Sequence, residues 1–96
     1  MNIRDMEKNS AKAITLLKAV ANERRLQILC LLYEQESSVT DLSERLNLSQ
    51  SALSQHLAWL RRDELVTTRK EAQTVFYSLN SEEVKRLVHL LHDMYC

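Results

Sequence analysis

The chain has 96 residues, 13 basic and 13 acidic, for a formal net charge of zero; 45% are hydrophobic, and none is Gly or Pro. Average usage is roughly 7% Gly and 5% Pro. Their absence excludes the glycine-cradled phosphate sites of dinucleotide folds and P-loops, and the G-x-S-x-G elbow of hydrolases.

Flexible linkers, polyproline segments and tight primed hairpin turns are disfavoured on the same ground. The length predicts one domain over residues 1–96. The first residues carry charge and no apolar run, so no signal peptide is expected. The longest apolar stretch, Ile28 to Tyr33, is too short to span a bilayer, and a cytoplasmic protein is expected.

Ile3, Met6, Ala13, Ile14, Leu17 and Ala21 share one face of a helix over Ile3–Ala21, with Lys8, Lys12 and Lys18 off it. Asn22 caps a second helix, Glu23–Gln35, whose centre from Leu26 to Tyr33 is apolar nearly all round; this predicts the buried helix. Ser37-Ser38-Val39 reads as a short break. Thr40 then caps a brief helix over Asp41–Leu46. Asn47 closes it, being the residue best able to replace Gly in a left-handed cap. Ser49 caps Gln50–Arg62, which buries Leu53, Leu57 and Leu60.

Beyond Asp63-Glu64 the period changes to two. Leu65–Lys70 and Thr74–Leu79 read as a hairpin around Glu71-Ala72-Gln73. Asn80-Ser81-Glu82-Glu83 has capping-box form. It opens a last helix with Val84, Leu87, Val88, Leu91, Met94 and Tyr95 on one face and Leu90 beside it. The predicted class is mainly α with a small β-hairpin, in the order α-α-α-α-β-β-α.

The helices Asp41–Leu46 and Gln50–Arg62, joined by Asn47-Leu48-Ser49, form a helix-turn-helix. The second would enter the major groove N-terminus first. Gln50, Ser51, Ser54, Gln55, Ala58 and Arg62 lie opposite its apolar stripe. Gln pairs bidentately with adenine, and Ser bonds several base edges. Ser49 and the helix N-terminus suit a phosphate. Arg69, Lys70 and Gln73 on the hairpin would reach flanking backbone or the minor groove. His56 either donates to a phosphate or is a half-buried histidine bonded within the motif; a phosphate or backbone-positioning role is preferred.

The charge distribution agrees. From Arg45 through Arg61 and Arg62 there is no acid, and the acids collect at Asp5, Glu7, Glu34, Glu36, Glu82, Glu83 and Asp93. A local basic surface is what electrostatic DNA binding needs; alone, the same pattern describes a solvated helix face. The first and last helices carry more apolar surface than one small core requires. They are expected to pack together and to join two copies, setting recognition helices roughly 34 Å apart on a pseudo-palindrome. The alternative is a monomer with a covered core. No Ser/His/Asp set can be argued from spacing, so no enzyme and no cofactor are expected. The competing class is a protein-binding dimer whose helix-turn-helix is vestigial.

Ala21-Asn22-Glu23-Arg24-Arg25-Leu26-Gln27-Ile28-Leu29 resembles the second-helix signature of the ArsR/SmtB winged-helix regulators. Leu48-Ser49-Gln50-Ser51-Ala52-Leu53-Ser54-Gln55-His56-Leu57 resembles their recognition segment, and Val75-Phe76-Tyr77-Ser78-Leu79 their wing strand. The resemblance spans nearly the whole chain. It implies a winged helix-turn-helix and a homodimer on double-stranded operator DNA. A branch that controls toxin genes is nearest, which implies action on virulence gene expression.

Many members of this family sense metals. The Cys-x-Cys site of the family falls on Ser38 and Thr40, which supply no thiolate. The site on the last helix, aligned on His92, falls on Leu79, Ser81, His92 and Tyr95. No regulatory metal is therefore expected, and His89, His92 and Asp93 read as a polar edge or an adventitious site. Cys30 and Cys96 stand where sulfide-sensing members carry a cysteine pair oxidised by reactive sulfur or oxygen species. The resemblance implies a redox switch there. Read alone, Cys30 is a small core hydrophobe and Cys96 a terminal thiol; a constitutive regulator without thiol sensing is the alternative.

The sequence departs from the family in lacking its Pro before the second-helix arginine. Glu64 stands where the family has Gly after the recognition helix, so a left-handed or otherwise costly backbone is expected there, at about 1–2 kcal/mol for a non-Gly residue. A wing without Gly at its tip is expected to be stiff.

Overall fold

In a computed structural model, residues 2–96 are described. They form α1 (Ile3–Val20), α2 (Glu23–Glu34), β1 (Ser37–Ser38), α3 (Val39–Leu46), α4 (Gln50–Arg62), β2 (Val66–Glu71), β3 (Thr74–Leu79) and α5 (Glu82–Tyr95). Each helix begins at a side-chain cap. Asn2 accepts from Asp5 N, Asn22 from Arg25 N, Ser38 from Asp41 N, Ser49 from Ala52 N and Ser81 from Val84 N. These bonds satisfy amides that the first turn leaves without partners.

Several local expectations are corrected. Ser37-Ser38 is not a break but a strand: Ser37 pairs with Tyr77 and Ser38 with Phe76. The sheet is therefore three-stranded, ordered β1-β3-β2, where a two-stranded hairpin was expected. Because Ser38 ends that strand in extended backbone, its hydroxyl caps α3, and Thr40 lies inside the first turn. The hairpin turn contains only Ala72-Gln73, with Glu71 opposite Thr74. Ala72 has φ 54°, the positive first position of a primed turn, so such a turn forms here without Gly. Helix ends differ by one residue: α1 stops at Val20 and α2 at Glu34.

The core consists of Ala19, Ile28, Leu29, Leu32, Leu42, Leu53, Leu57, Leu60, Leu65, Val66, Leu79, Val84 and Val88. α2 lies at its centre and packs on α1, α3, α4, β3 and α5. The near-continuous apolar run from Leu26 to Tyr33 supplies these contacts on several sides. α1 and α5 each pack on α2 rather than extensively on one another, which corrects the expected pairing of those two helices within a chain. Their apolar stripes stay outside: Ile3 is 75%, Leu17 50%, Leu90 52% and Tyr95 80% exposed.

Arg25 is a buried cation held by two backbone carbonyls. Its Nε donates to Ala19 O at 2.8 Å and its Nη2 to Lys18 O at 3.1 Å. Both carbonyls lie at the C-terminal end of α1, the negative end of the helix dipole. The guanidinium also lies 3.8 Å from the centroid of the Trp59 ring, a cation–π contact. Arg25 thus ties the end of α1 to α4.

Candidate nucleic-acid interface

The turn between α3 and α4 is fixed by backbone chemistry. Asn47 adopts φ 53°, ψ 47°, and the Leu48 amide donates to Ser43 O at 3.1 Å. The Ser43 hydroxyl donates in turn to Leu48 O. Arg24 Nη1 reaches the last carbonyl of α3, Leu46 O, at 3.3 Å. Ser49 then caps α4 through Ala52 N at 3.1 Å. These bonds set the angle between the two helices.

α4 buries Leu53, Leu57 and Leu60 and exposes Gln50, Ser51, Ser54, Gln55, Ala58 and Arg62. The first turn of α4 has no acid, so its exposed N-terminal dipole is not neutralised by its own side chains. The expected Ser49, Gln50, Ser51, Ser54 and Gln55 are exposed along one side of α4. His56 is half-buried beside them. Burial, then Arg25 and Arg24, push its imidazole below the ordinary histidine range, which favours the neutral ring. At the far end Arg62 pairs with Asp63 at 3.4 Å and lies 5.3 Å from the Trp59 ring centroid.

The three expected wing residues differ in what surrounds them. Lys70 and Gln73 are exposed near its tip. Arg69 is exposed as well, but its charge is engaged. Its Nε lies 2.9 Å from both Glu36 carboxylate oxygens, its Nη2 2.7 Å from Glu36 Oε1, and its Nη1 2.9 Å from Glu71 Oε2.

Glu64, at φ 62°, closes α4. The Leu65 amide donates to Leu60 O at 2.9 Å and the Glu64 amide to Arg61 O at 3.0 Å, the paired bonds of a Schellman ending. Asn80 Nδ2 holds Glu64 O at 2.9 Å. The left-handed residue expected from the missing Gly is present, and it aims β2 away from the recognition helix.

A second group of residues lies where α2 meets α5. Cys30 is half-buried and Cys96 exposed, both are free, and Cys96 is near enough to act on the Cys30 thiol. Burial foremost, then Cys96 and the Glu34 carboxylate, push the Cys30 thiol up from its ordinary range. Nearby, the Tyr33 hydroxyl hydrogen-bonds His89 Nδ1, and the Tyr33 and His92 ring centroids are 5.2 Å apart. Glu34 lies 3.7 Å from His92 and 3.8 Å from Arg45 on α3. The carboxylate thus stands between the thiols, α5 and the helix-turn-helix.

Sequence reasoning missed Arg24, Arg25 and Glu36. Arg24 and Arg25 sit in the second-helix signature, but nothing in the pattern says that both are spent on carbonyls. Glu36 was read only as one of several surface acids.

Residues 22–68 match the family model of the bacterial regulatory proteins, arsR family. Over the full chain, and 89% of the relative's length, the protein is 73% identical to the transcriptional activator HlyU of Vibrio cholerae. The chain belongs to the ArsR family. A solved structure of reduced HlyU from Vibrio cholerae N16961 matches this ArsR-family protein with TM-score 0.93 and 72% identity, covering 98% of this chain and 99% of that one. A homodimeric winged helix-turn-helix DNA-binding domain from Mycobacterium bovis matches at TM-score 0.83 and 30% identity, covering 98% of this chain and 86% of that one. The ArsR-family protein is a DNA-binding transcriptional regulator with a winged helix-turn-helix, and its relatives are regulators, not enzymes. Among the described residues, no helix is long and apolar enough to cross a membrane.

Proposed function

We propose that this ArsR-family protein is a cytoplasmic homodimer that releases a pseudo-palindromic operator when Cys30 and Cys96 are oxidised, and that it controls virulence or toxin genes. The observation that supports the switch is the proximity of Cys96 to the Cys30 thiol at the packing of α5 on α2. These residues are far apart in sequence. Oxidation joins the sulfurs and passes two electrons and two protons to an organic persulfide or a peroxide. The new bond fixes α5 to α2, and Glu34 offers a route from there to Arg45 and the helix-turn-helix. A coupling of about 1–3 kcal/mol, or roughly 5–150-fold in affinity, is the usual size of such effects.

In the DNA-bound state Gln50, Ser51, Ser54 and Gln55 read bases. Ser49, His56 and Arg62 meet the backbone from α4, and Lys70 and Gln73 meet it from the wing. Arg69 contributes from the wing in the manner argued below. Dimerisation uses the exposed stripes of α1 and α5, where Ile14, Leu17, Leu90 and Met94 would otherwise remain in water. The homodimeric state of the Mycobacterium bovis relative supports this arrangement, and the resemblance to the transcriptional activator HlyU supports control of transcription.

The test is a DNA titration of one preparation, first reduced and then treated with persulfide, for wild type and Cys30→Ser. Weakening in wild type and none in Cys30→Ser is expected. Equal release by the two proteins removes the switch and leaves the DNA-binding reading intact.

A further inference from the structure

The wing is the β2–β3 hairpin, exposed continuously from Arg69 to Val75, with no buried residue at its tip. Something must fix its angle to α4. Register places Arg69 of β2 directly across from Phe76 of β3, and Phe76 directly across from Ser38 of β1. Arg69 and Ser38 therefore flank Phe76 across the full width of the sheet. The Arg69 guanidinium lies 4.6 Å from the Phe76 ring centroid and reaches Glu36, just before β1, with Nε and Nη2 at 2.7–2.9 Å. Its remaining edge holds Glu71 at 2.9 Å.

We propose that Arg69 is a wing-positioning residue, which with Glu36 forms a latch over Phe76 that holds the hairpin at its DNA-binding angle, while Lys70 and Gln73 make the wing's contacts. Most exposed ion pairs contribute little because two long side chains must be ordered for one weak attraction. Here one planar fork meets one carboxylate with two nitrogens, a geometry only Arg supplies. The aromatic ring beneath it and the second carboxylate restrict the fork further. The charge balance argues in the same direction. One guanidinium between two carboxylates is a net negative group, which repels a phosphate rather than attracting it. A phosphate contact by Arg69 would require the latch to open.

The proposal rests on the reading that α4 and the wing bind DNA together, and its test separates the two. Fluorescence anisotropy with a palindromic duplex at stepped salt is measured for wild type, Glu36→Gln, Arg69→Met and Arg69→Lys. The latch predicts that all three variants weaken binding by a similar factor, about threefold to tenfold, with the salt slope unchanged. Lys fails to rescue because an ammonium cannot replace the fork. A phosphate contact predicts instead that Arg69→Met lowers the slope by about one, that Arg69→Lys keeps most of the affinity, and that Glu36→Gln tightens binding. Any of these three results overturns the latch. Hydrogen exchange on the DNA-free protein reads it independently. Residues 70–75 should exchange several-fold faster in Glu36→Gln than in wild type, and equal rates overturn the proposal even if no variant binds DNA.

Discussion

Replacing Glu64 with Gly should stabilise the protein. Glu64 sits at φ 62°, a conformation that costs a non-Gly residue about 1–2 kcal/mol. Its side chain is exposed, and the three hydrogen bonds at this corner use backbone atoms of residue 64 or bypass it. Glu64→Gly therefore removes the steric cost and keeps the Schellman bonds and the Asn80 contact. Against this, Gly loses about 0.5–1 kcal/mol more than other residues through the freedom of the unfolded chain. The difference is a net gain of about 0.5–1 kcal/mol. For a domain of this size that is a rise of about 2–8 °C in Tm, measured by circular dichroism at fixed protein concentration because a dimer melts in a concentration-dependent way. Ala11→Gly in the exposed middle of α1 is the control, and should lose about 1 kcal/mol. A Glu64→Gly protein that melts below wild type would refute the claim that residue 64 carries strain.

Four other outcomes follow from the same geometry. Arg25→Met should lose about 2–3 kcal/mol in urea unfolding, since Ala19 O and Lys18 O lose their charged donor in a buried site. Cys30 should alkylate slowly at neutral pH and speed up only above the ordinary thiol midpoint of about 8.5, because its thiol is pushed up and only the thiolate attacks; site-resolved mass spectrometry across a pH series gives the profile. His56 is held neutral with a lowered proton affinity. The stability this confers is present above the unfolded histidine value and falls as pH drops through the folded one. Wild type should therefore lose more stability than His56→Gln between about pH 6.5 and 5. Leu17→Glu should convert a dimer to a monomer in sedimentation, with loss of operator binding and little change in helix content by far-ultraviolet circular dichroism.

Much of the helix-turn-helix is legible in the sequence because its local signals agree. Asn47, Ser49 and the Leu53, Leu57, Leu60 stripe each point to the same turn and the same buried face, and the structure has them so. The missing Gly at Glu64 forecast a positive φ that is present. β1 was not legible, since two serines have no strand pattern and become a strand only through pairing with Tyr77 and Phe76. That pairing also explains why Ser38 rather than Thr40 caps α3. Propensity argues for Gly in a primed turn and so against one at Ala72; six paired positions along β2 and β3 override it. Pair chemistry is harder to read still. The sequence marks Arg69 and Lys70 as equivalent cations, and only the fold shows that Arg69 is held by Glu36 and Glu71 while Lys70 points to solvent. Nothing in the spacing of Cys30 and Cys96 brings them near one another; only family position suggests the pair.

The most direct test of the whole account is the affinity of one purified sample for a palindromic duplex across a salt series, before and after persulfide treatment. The reduced protein should bind with a steep negative salt slope. Oxidation should weaken it by about 5–150-fold, and dithiothreitol should restore it. Affinity that ignores both salt and oxidation would contradict the account.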